Sequence, residues 1–349
     1  MDKIKLINEK NKILNEKAHR LIPGGAHTYS KGDDQFPYNA PRIVDRAKGC
    51  ALWDVDQNQY LDFGMSLGTI ILGHAYEPVL DAVKKELVNG VNFVRPSRLE
   101  GELAELMHEV IPSAEMVKFG KNGSDATTAA IRLARAYTNR KYIIRCADDA
   151  FNAIHDWFIG STVLNNGVPE EICNLTLKFK YNDIDSLKEL FQKYPGQIAG
   201  VLLEPVSMME PENNFLEEVK SLCQKEGSVL IFDEVVSGFR FSLGGAQEMT
   251  KVTPDLSCFG KGMANGFSVS ALVGKKDIME IGGIHHDKKR VFLLSTTHGG
   301  ETHSLAAAIK TIQEVRENNV IEHNYNVGNS LMRGIDKVAK EVGAEKYIK

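Results

Sequence analysis

The sequence predicts an α/β protein built on a mostly parallel, doubly wound sheet of about seven strands, with a second, smaller lobe. Three observations carry that reading. From about Met116 onward, short β-rich runs alternate with helical stretches. Several of those runs are unbroken apolar stretches, the pattern of strands covered by helices on both faces. The chain has 349 residues, 43% of them apolar, which is length enough for a large core and two domains.

The elements follow in chain order. "MDKIKLINEKNKILNEKAHRLIPGG" is polar and helical in pattern, with no apolar core of the signal-peptide kind. "ALWDVDQNQYLDFG" (51–64) reads as a hairpin, two alternating β runs around "DQNQ". Its spacing of Asp54, Asp56 and Asn58 resembles the start of a calcium loop. However, Gln59 stands where that loop needs glycine and Met65 where it needs a bidentate glutamate, so no calcium is expected there. "MVKFG" (116–120) is the first strand of the large sheet, and the amphipathic helix "SDATTAAIRLARAYT" follows it. "KYIIRC", "LTLKFK", "IAGVLLEP", "SVLIFDEV", "DLSCFG" and "VSALVG" are the remaining strands. Helices are expected at "DIDSLKELFQKY" and "FLEEVKSLCQKEG". Residues 1–70 are expected to form an N-terminal segment and the hairpin of the small lobe, and residues 71–275 the large domain. Residues 276–349 would be a link and the start of a C-terminal small lobe.

Composition excludes several classes. A net charge of −4 with no basic stripe argues against a nucleic-acid partner. No apolar run reaches the length of a membrane span. The five cysteines are scattered and form no CxxC pair, which fits a reduced, cytoplasmic protein. His298, Glu301 and His303 in "HGGETH", and the pair His285 and His286, match no metalloenzyme spacing, so no metal is expected. Arg240 reads as an ordinary surface or interlobe salt-bridge residue.

On a sheet of this kind, ligands bind beyond the carboxyl ends of the strands. After "MVKF" comes "GKNGSDA", where Gly123 and Ser124 open a helix. Free N–H groups and the helix dipole there favour a phosphate, and the other reading of Ser124 is a plain helix cap. After "VLIF" comes Asp233, a carboxylate at the end of an apolar run. It either sits in a structural salt bridge or grips a protonated ring nitrogen. After "DLSCFG" comes Lys261 between Gly260 and Gly262. It is either a cation on a turn or an amine whose proton affinity a dry site lowers until it attacks carbonyls. A phosphate cradle, an acid and a lysine on one sheet edge are the needs of a single cofactor, pyridoxal 5'-phosphate.

At these residues the chain resembles the class III aminotransferases that use pyridoxal phosphate, most closely the glutamate-1-semialdehyde 2,1-aminomutase branch. "LIFDEVVSGFR" followed by "TPDLSCFGKGMANGFSVSALVG" is the most specific stretch, and "LIPGGAHT", "ILGHAYEPVLDAV", "YNDIDSLKELF" and "TTHGGETHSLAAA" extend it. The resemblance implies an aspartate-aminotransferase-like (fold type I) architecture. It implies that Lys261 carries the cofactor as a Schiff base and shuttles a proton, and that Asp233 holds the ring nitrogen protonated. Val235 or Val236 would pack under the ring, and Asn122, Gly123 and Ser124 would bind the phosphate. Phe151 takes the place of a ring-stacking tyrosine that a histidine normally follows; here Asn152 follows. Glu204 in "LEPV" matches a glutamate near the site. Thr297 matches a threonine that reaches the phosphate of the neighbouring subunit, which implies a homodimer with shared sites, and His298 beside it would line the substrate pocket.

Three departures bear on the substrate. Leu67 replaces the tryptophan of the aminomutase pocket. Lys31 stands about where a carboxylate-binding arginine is found, and a lysine gives a point charge in place of a planar fork. The segment between Asp156 and Tyr181, the region of the aminomutase gate, is shorter. The expected activity is therefore amino transfer between a separate donor and a carbonyl acceptor. Intramolecular transfer by an aminomutase and a catalytically silent assembly partner are the alternatives. The family's C-terminal lobe continues past the residue matching Lys349.

Overall fold

The computed structural model describes residues 9–348; the first eight residues of the polar N-terminal stretch lie outside it. The rest of that stretch forms the helix Glu9–Leu21. Strands β1 (Val44–Lys48), β2 (Ala51–Asp54) and β3 (Gln59–Leu61) make a small antiparallel sheet in that order. The hairpin read at 51–64 is β2–β3, with Ala51 opposite Leu61 and Trp53 opposite Gln59. Asp54, weighed as a calcium ligand, is buried at its turn. Its carboxylate accepts from the Asp56 and Asn58 N–H groups, the Asn58 side chain and the Tyr60 hydroxyl.

The large sheet has seven strands: β4 (Met116–Gly120), β5 (Tyr142–Cys146), β6 (Thr176–Phe179), β7 (Ile198–Leu203), β8 (Val229–Asp233), β9 (Leu256–Phe259) and β10 (Ser270–Gly274). Their spatial order is β4-β10-β9-β8-β7-β5-β6. Only β10 runs against its neighbours, pairing antiparallel with β4 and β9. All seven are the strands expected from the sequence. Their unbroken apolar character has the expected cause. In β8, Val229 and Ile231 point into one core and Leu230 and Phe232 into the core on the opposite face.

Helix Gly123–Thr138 packs its alanine-rich face, Ala126, Ala129, Ala130 and Ala134, against one side of the sheet. Helices Ile184–Lys193 and Phe215–Glu226 cover another part through Leu187, Phe191, Leu216 and Val219. A third core joins Leu103 and Met107 of helix Arg98–Val110 to Phe259, Met263, Leu305 and Ile312. Helix Thr302–Glu317, which lies in the stretch read as C-terminal link and lobe, is thus packed against the segment that carries Lys261. Each fully buried leucine or phenylalanine in these cores contributes about 1.5–3 kcal/mol relative to exposure.

Candidate active site

Because β4 is parallel to β9 through the antiparallel β10, the chain leaves β4, β5, β7, β8 and β9 at the same sheet edge. That edge gathers Asn122 to Ser124, Asp149 to Asn152, Glu204, Asp233 to Val236, and Lys261.

Asp233 ends β8 and is 3% exposed. Its Oδ2 accepts from Asn152 Nδ2 at 2.9 Å and its Oδ1 from the Val235 N–H at 3.1 Å. Burial pushes its carboxyl up to about 6, while Asn152, the Val235 N–H and the Lys261 charge pull it back. No ion pair holds it among the described residues, so the structural salt bridge weighed from the sequence is not what occupies it. Lys261 follows β9 in a short 3-10 turn with φ +39°. A non-glycine residue there carries strain of about 1–3 kcal/mol, a cost that tends to collect at functional sites. Burial lowers the proton affinity of its amine; Asp233 and Glu204 raise it and Arg240 lowers it further.

Helix Gly123–Thr138 begins where β4 ends. The Asp125 carboxylate accepts from the N–H groups of Lys121 and Asn122, fixing the turn. The N–H groups of Gly123 and Ser124 have no intrahelical acceptor. Ser124 is buried, and its Oγ accepts from the Ile154 N–H at 3.1 Å, so the hydroxyl proton remains to donate. A Cβ on Gly123 would lie 2.8 Å from Val235 Cγ2. Gly123→Ala must therefore push Val235 or the helix start aside. It is expected to weaken phosphate-dependent ligand binding roughly tenfold or more, as overpacking by a methyl costs about 1–3 kcal/mol. Titration calorimetry checks this.

Phe151 is 53% exposed, edge-on to Phe158 at 5.5 Å between ring centroids, so one face of the ring is open. Val236 gives its carbonyl to Arg240 Nε. Thr297 is exposed, and its carbonyl accepts from Asn92 Nδ2. His298, weighed as a metal ligand, is exposed and pairs with Glu301 at 3.0 Å, and Glu301 also pairs with Lys121. Lys31 is exposed, and lines with Leu67 and Ser66 a cleft of about 980 Å³ beside the small sheet. Between Asp156 and Tyr181, Val163 and Leu164 stand exposed.

Glu204 is 8% exposed, and its N–H donates to Asp149 Oδ2 at 3.0 Å. Burial, with Asp233 as a neighbour, pushes Asp149 up to about 7 and Glu204 up to about 8. With Asp233 these are three buried carboxyls whose folded proton affinity exceeds the unfolded value. Such groups favour the fold fully below about pH 4 and lose that contribution as pH rises through about 6 to 8. Glu204→Gln removes one of them. The variant without cofactor is expected to melt about 2–4 °C higher than the parent at about pH 8.5, with little difference near pH 4.5. Circular dichroism melts across pH check it.

Four residues here escaped the sequence reading. Asp149 carries a buried Oδ1 with no partner among the described residues. Glu234 is fully buried and accepts from the Ser237 hydroxyl, the Ala246 and Gln247 N–H groups and the Gln247 side chain, which pins the loop between Asp233 and β9. Asn265, four residues past the lysine, accepts from the Ile71 and Leu72 N–H groups and donates to the Gly73 carbonyl. Arg240, expected in a salt bridge, makes none among the described residues and donates to two backbone carbonyls. The signal for Asn265 and Arg240 lay in their closeness to Lys261 and Asp233, but the partners of Asn265, and the Gly68 carbonyl that Arg240 reaches, are about 170 to 195 residues away in sequence.

Fold and constellation together define an α/β enzyme of the aspartate-aminotransferase-like, fold type I class. The chain belongs to the class III aminotransferase family: the model described as "Aminotransferase class-III" matches residues 30–348. It is 38% identical over 344 residues to a glutamate-1-semialdehyde 2,1-aminomutase of Acetivibrio thermocellus, covering 95% of this chain and 79% of that one. Among solved structures it is similar to the FumI protein of Sphingopyxis sp. MTA144 in a PLP-bound form (TM-score 0.88, 30% identity, 96% of this chain and 80% of that one). It is also similar to an omega-transaminase from Sphaerobacter thermophilus (TM-score 0.87, 28% identity, 95% and 78%).

Proposed function

We propose that this chain is a pyridoxal-phosphate-dependent aminotransferase that moves an amino group between a small-molecule donor and a carbonyl acceptor. The carrying observation is the convergence, at one sheet edge, of a buried acid without a counter-ion, a lysine on a strained turn and an open helix N-terminus. The residues present fit the cofactor. The Gly123 position leaves no room for a side chain beside Val235. Among the described residues, Asn152 Oδ1 is buried with no partner, and no hydrogen bond engages the Lys261 amine. Buried polar atoms left this way are costly unless a ligand answers them.

When bound, pyridoxal phosphate supplies an aldehyde that takes up amino groups and a ring that draws electrons from the substrate carbon. Lys261 would hold it and would move the proton to and from the substrate carbon. Asp233 keeps a proton on the ring nitrogen, held in place by Asn152. The N–H groups of Gly123 and Ser124, with Asn122, hold the phosphate. Val235 or Val236 would pack against the cofactor's ring, Phe151 would stack on it, and Glu204 stands near the site at the end of β7. Thr297 reaches the phosphate of a second copy, so we read the protein as a homodimer. The exposed Phe63, Val94 and Phe292 support an apolar contact with that copy. Residues 71–275 are read as the domain that carries the cofactor, 1–70 as an N-terminal segment and hairpin of the small lobe, and 276–349 as a link and the start of a C-terminal small lobe. We place the protein in the cytoplasm on its five unpaired cysteines.

The test is a screen of amino donors against keto and aldehyde acceptors, with formation of the pyridoxamine form read by absorbance. Turnover that needs a separate donor supports the reading; a colourless protein after soaking with the cofactor sinks it. The second reading, an aminomutase acting within one small acid, is favoured by the names of relatives at 35–38% identity. Turnover of a single amino aldehyde acid with no donor would decide for it.

A further inference from the structure

Arg240 leaves β8 seven residues after Asp233 and reaches back across the site. Its Nε donates to the Val236 carbonyl at 3.0 Å and its Nη2 to the Gly68 carbonyl at 2.5 Å. The guanidinium sits between two glycines. A Cβ on Gly68 would lie 3.3 Å from Nη2, and one on Gly262 3.8 Å from it. Gly262 is the residue after Lys261. Gly68 closes a run of left-handed residues, Met65, Ser66, Leu67 and Gly68, with φ of 39°, 54°, 59° and 78°. Ser66 and Leu67 line the 980 Å³ cleft. The run is tied at its start by Asp62, which accepts from the Met65 N–H and pairs with His74. Past its end, Asn265 holds Ile71 and Leu72. Arg240 is the tie at the run's own last carbonyl.

We infer that Arg240 is a positioning residue that braces this left-handed turn, and with it the cleft wall at Leu67, against the segment carrying Lys261, its guanidinium lying against Gly262, the residue after that lysine. A guanidinium is suited to this because its planar fork spans two carbonyls at once, which an ammonium cannot do. No carboxylate pairs with it among the described residues, so its positive charge acts on the site without a partner. The charged groups that face the amine are Asp233 and Glu204, which hold its proton, and Arg240, which repels it. Loss of the Arg240 charge therefore leaves Lys261 more often protonated, and so less often nucleophilic.

The inference rests on Lys261 being the reacting amine, and its test reads that amine directly. In the whole chain without cofactor, acetylation of Lys261 by acetic anhydride is followed against pH by peptide mass spectrometry. Hydrogen exchange of residues 66–70 is measured alongside, in the parent, Arg240→Gln and Arg240→Lys. Arg240→Gln is expected to raise the labelling midpoint by about one pH unit. Arg240→Lys is expected to hold the midpoint within about 0.3 unit, since the charge remains. Both variants are expected to speed exchange about tenfold, as one tie of the turn is lost or halved. An unmoved midpoint in Arg240→Gln, or unchanged exchange in either variant, overturns the inference. If Arg240→Gln fails to fold, exchange in Arg240→Lys decides alone. A protein that shows these shifts but takes up no pyridoxal phosphate overturns the cofactor reading and leaves this one standing.

Discussion

Lys261→Ala is expected to lower amino transfer roughly 10⁴-fold or more, because on the proposed reading it removes the nucleophile and the proton carrier together. The rest of the site stays intact in this variant. Asp233 keeps its bonds to Asn152 and the Val235 N–H, and the helix N-terminus at Gly123 is untouched. The cofactor is therefore still expected to bind, but without the covalent link. Borohydride treatment followed by peptide mass spectrometry should mark Lys261 in the parent and leave the variant unmarked. Folding is expected to be little harmed, and relief of the positive φ by alanine does not arise, since alanine is strained at +39° as well. Turnover within tenfold of the parent would remove Lys261 from the chemistry.

Asp233→Asn gives the second large effect. The substitution keeps the size and one of the two acceptor oxygens that serve Asn152 and the Val235 N–H, and removes the negative charge that, on the proposed reading, keeps a proton on the ring nitrogen. Turnover is expected to fall roughly 10²–10³-fold, the usual scale for losing one preorganised electrostatic partner. Stability should move the opposite way. The carboxyl is pushed up to about 6 by burial, so its ionised form costs the fold above that pH. The contribution is favourable below about pH 4 and lost through about pH 6. The cofactor-free Asn variant is then expected to be more stable than the parent at pH above about 7 and no more stable near pH 4. Denaturant midpoints at the two pH values check this. An active enzyme that is less stable at both would mean that Asp233 is structural, held by a partner the described bonds do not include.

The two effects differ in how they were found. Lys261 and Asp233 were legible because each stands at the end of a strand whose apolar run is unmistakable, and strand ends on such a sheet face the ligand side. Gly123 was legible because a helix pattern starts directly after "MVKF". What lay outside local pattern was every tie made at long range. Asn152 was read only as a departure from the expected histidine; that it donates to Asp233 depends on β5 and β8 opening at the same edge. Arg240 was read as a salt-bridge residue, since a charge near a strand end is most often paired. Its partners are carbonyls on Val236 and Gly68, one of them 172 residues away. The left-handed turn at 65–68 had no signal at all, because only one of its four residues is glycine.

By itself, the sequence determined the seven strands, the hairpin, the helix that opens at Gly123 and the three residue types a phosphate-bearing aldehyde cofactor needs. Those features are local, and periodicity and strand length report on them directly. Only the tertiary structure decided which carboxyls are buried together, and that Arg240 gives its guanidinium to two carbonyls and, among the described residues, to no carboxylate. Such properties arise when distant segments exclude water from one another, and no window of neighbouring residues carries that information.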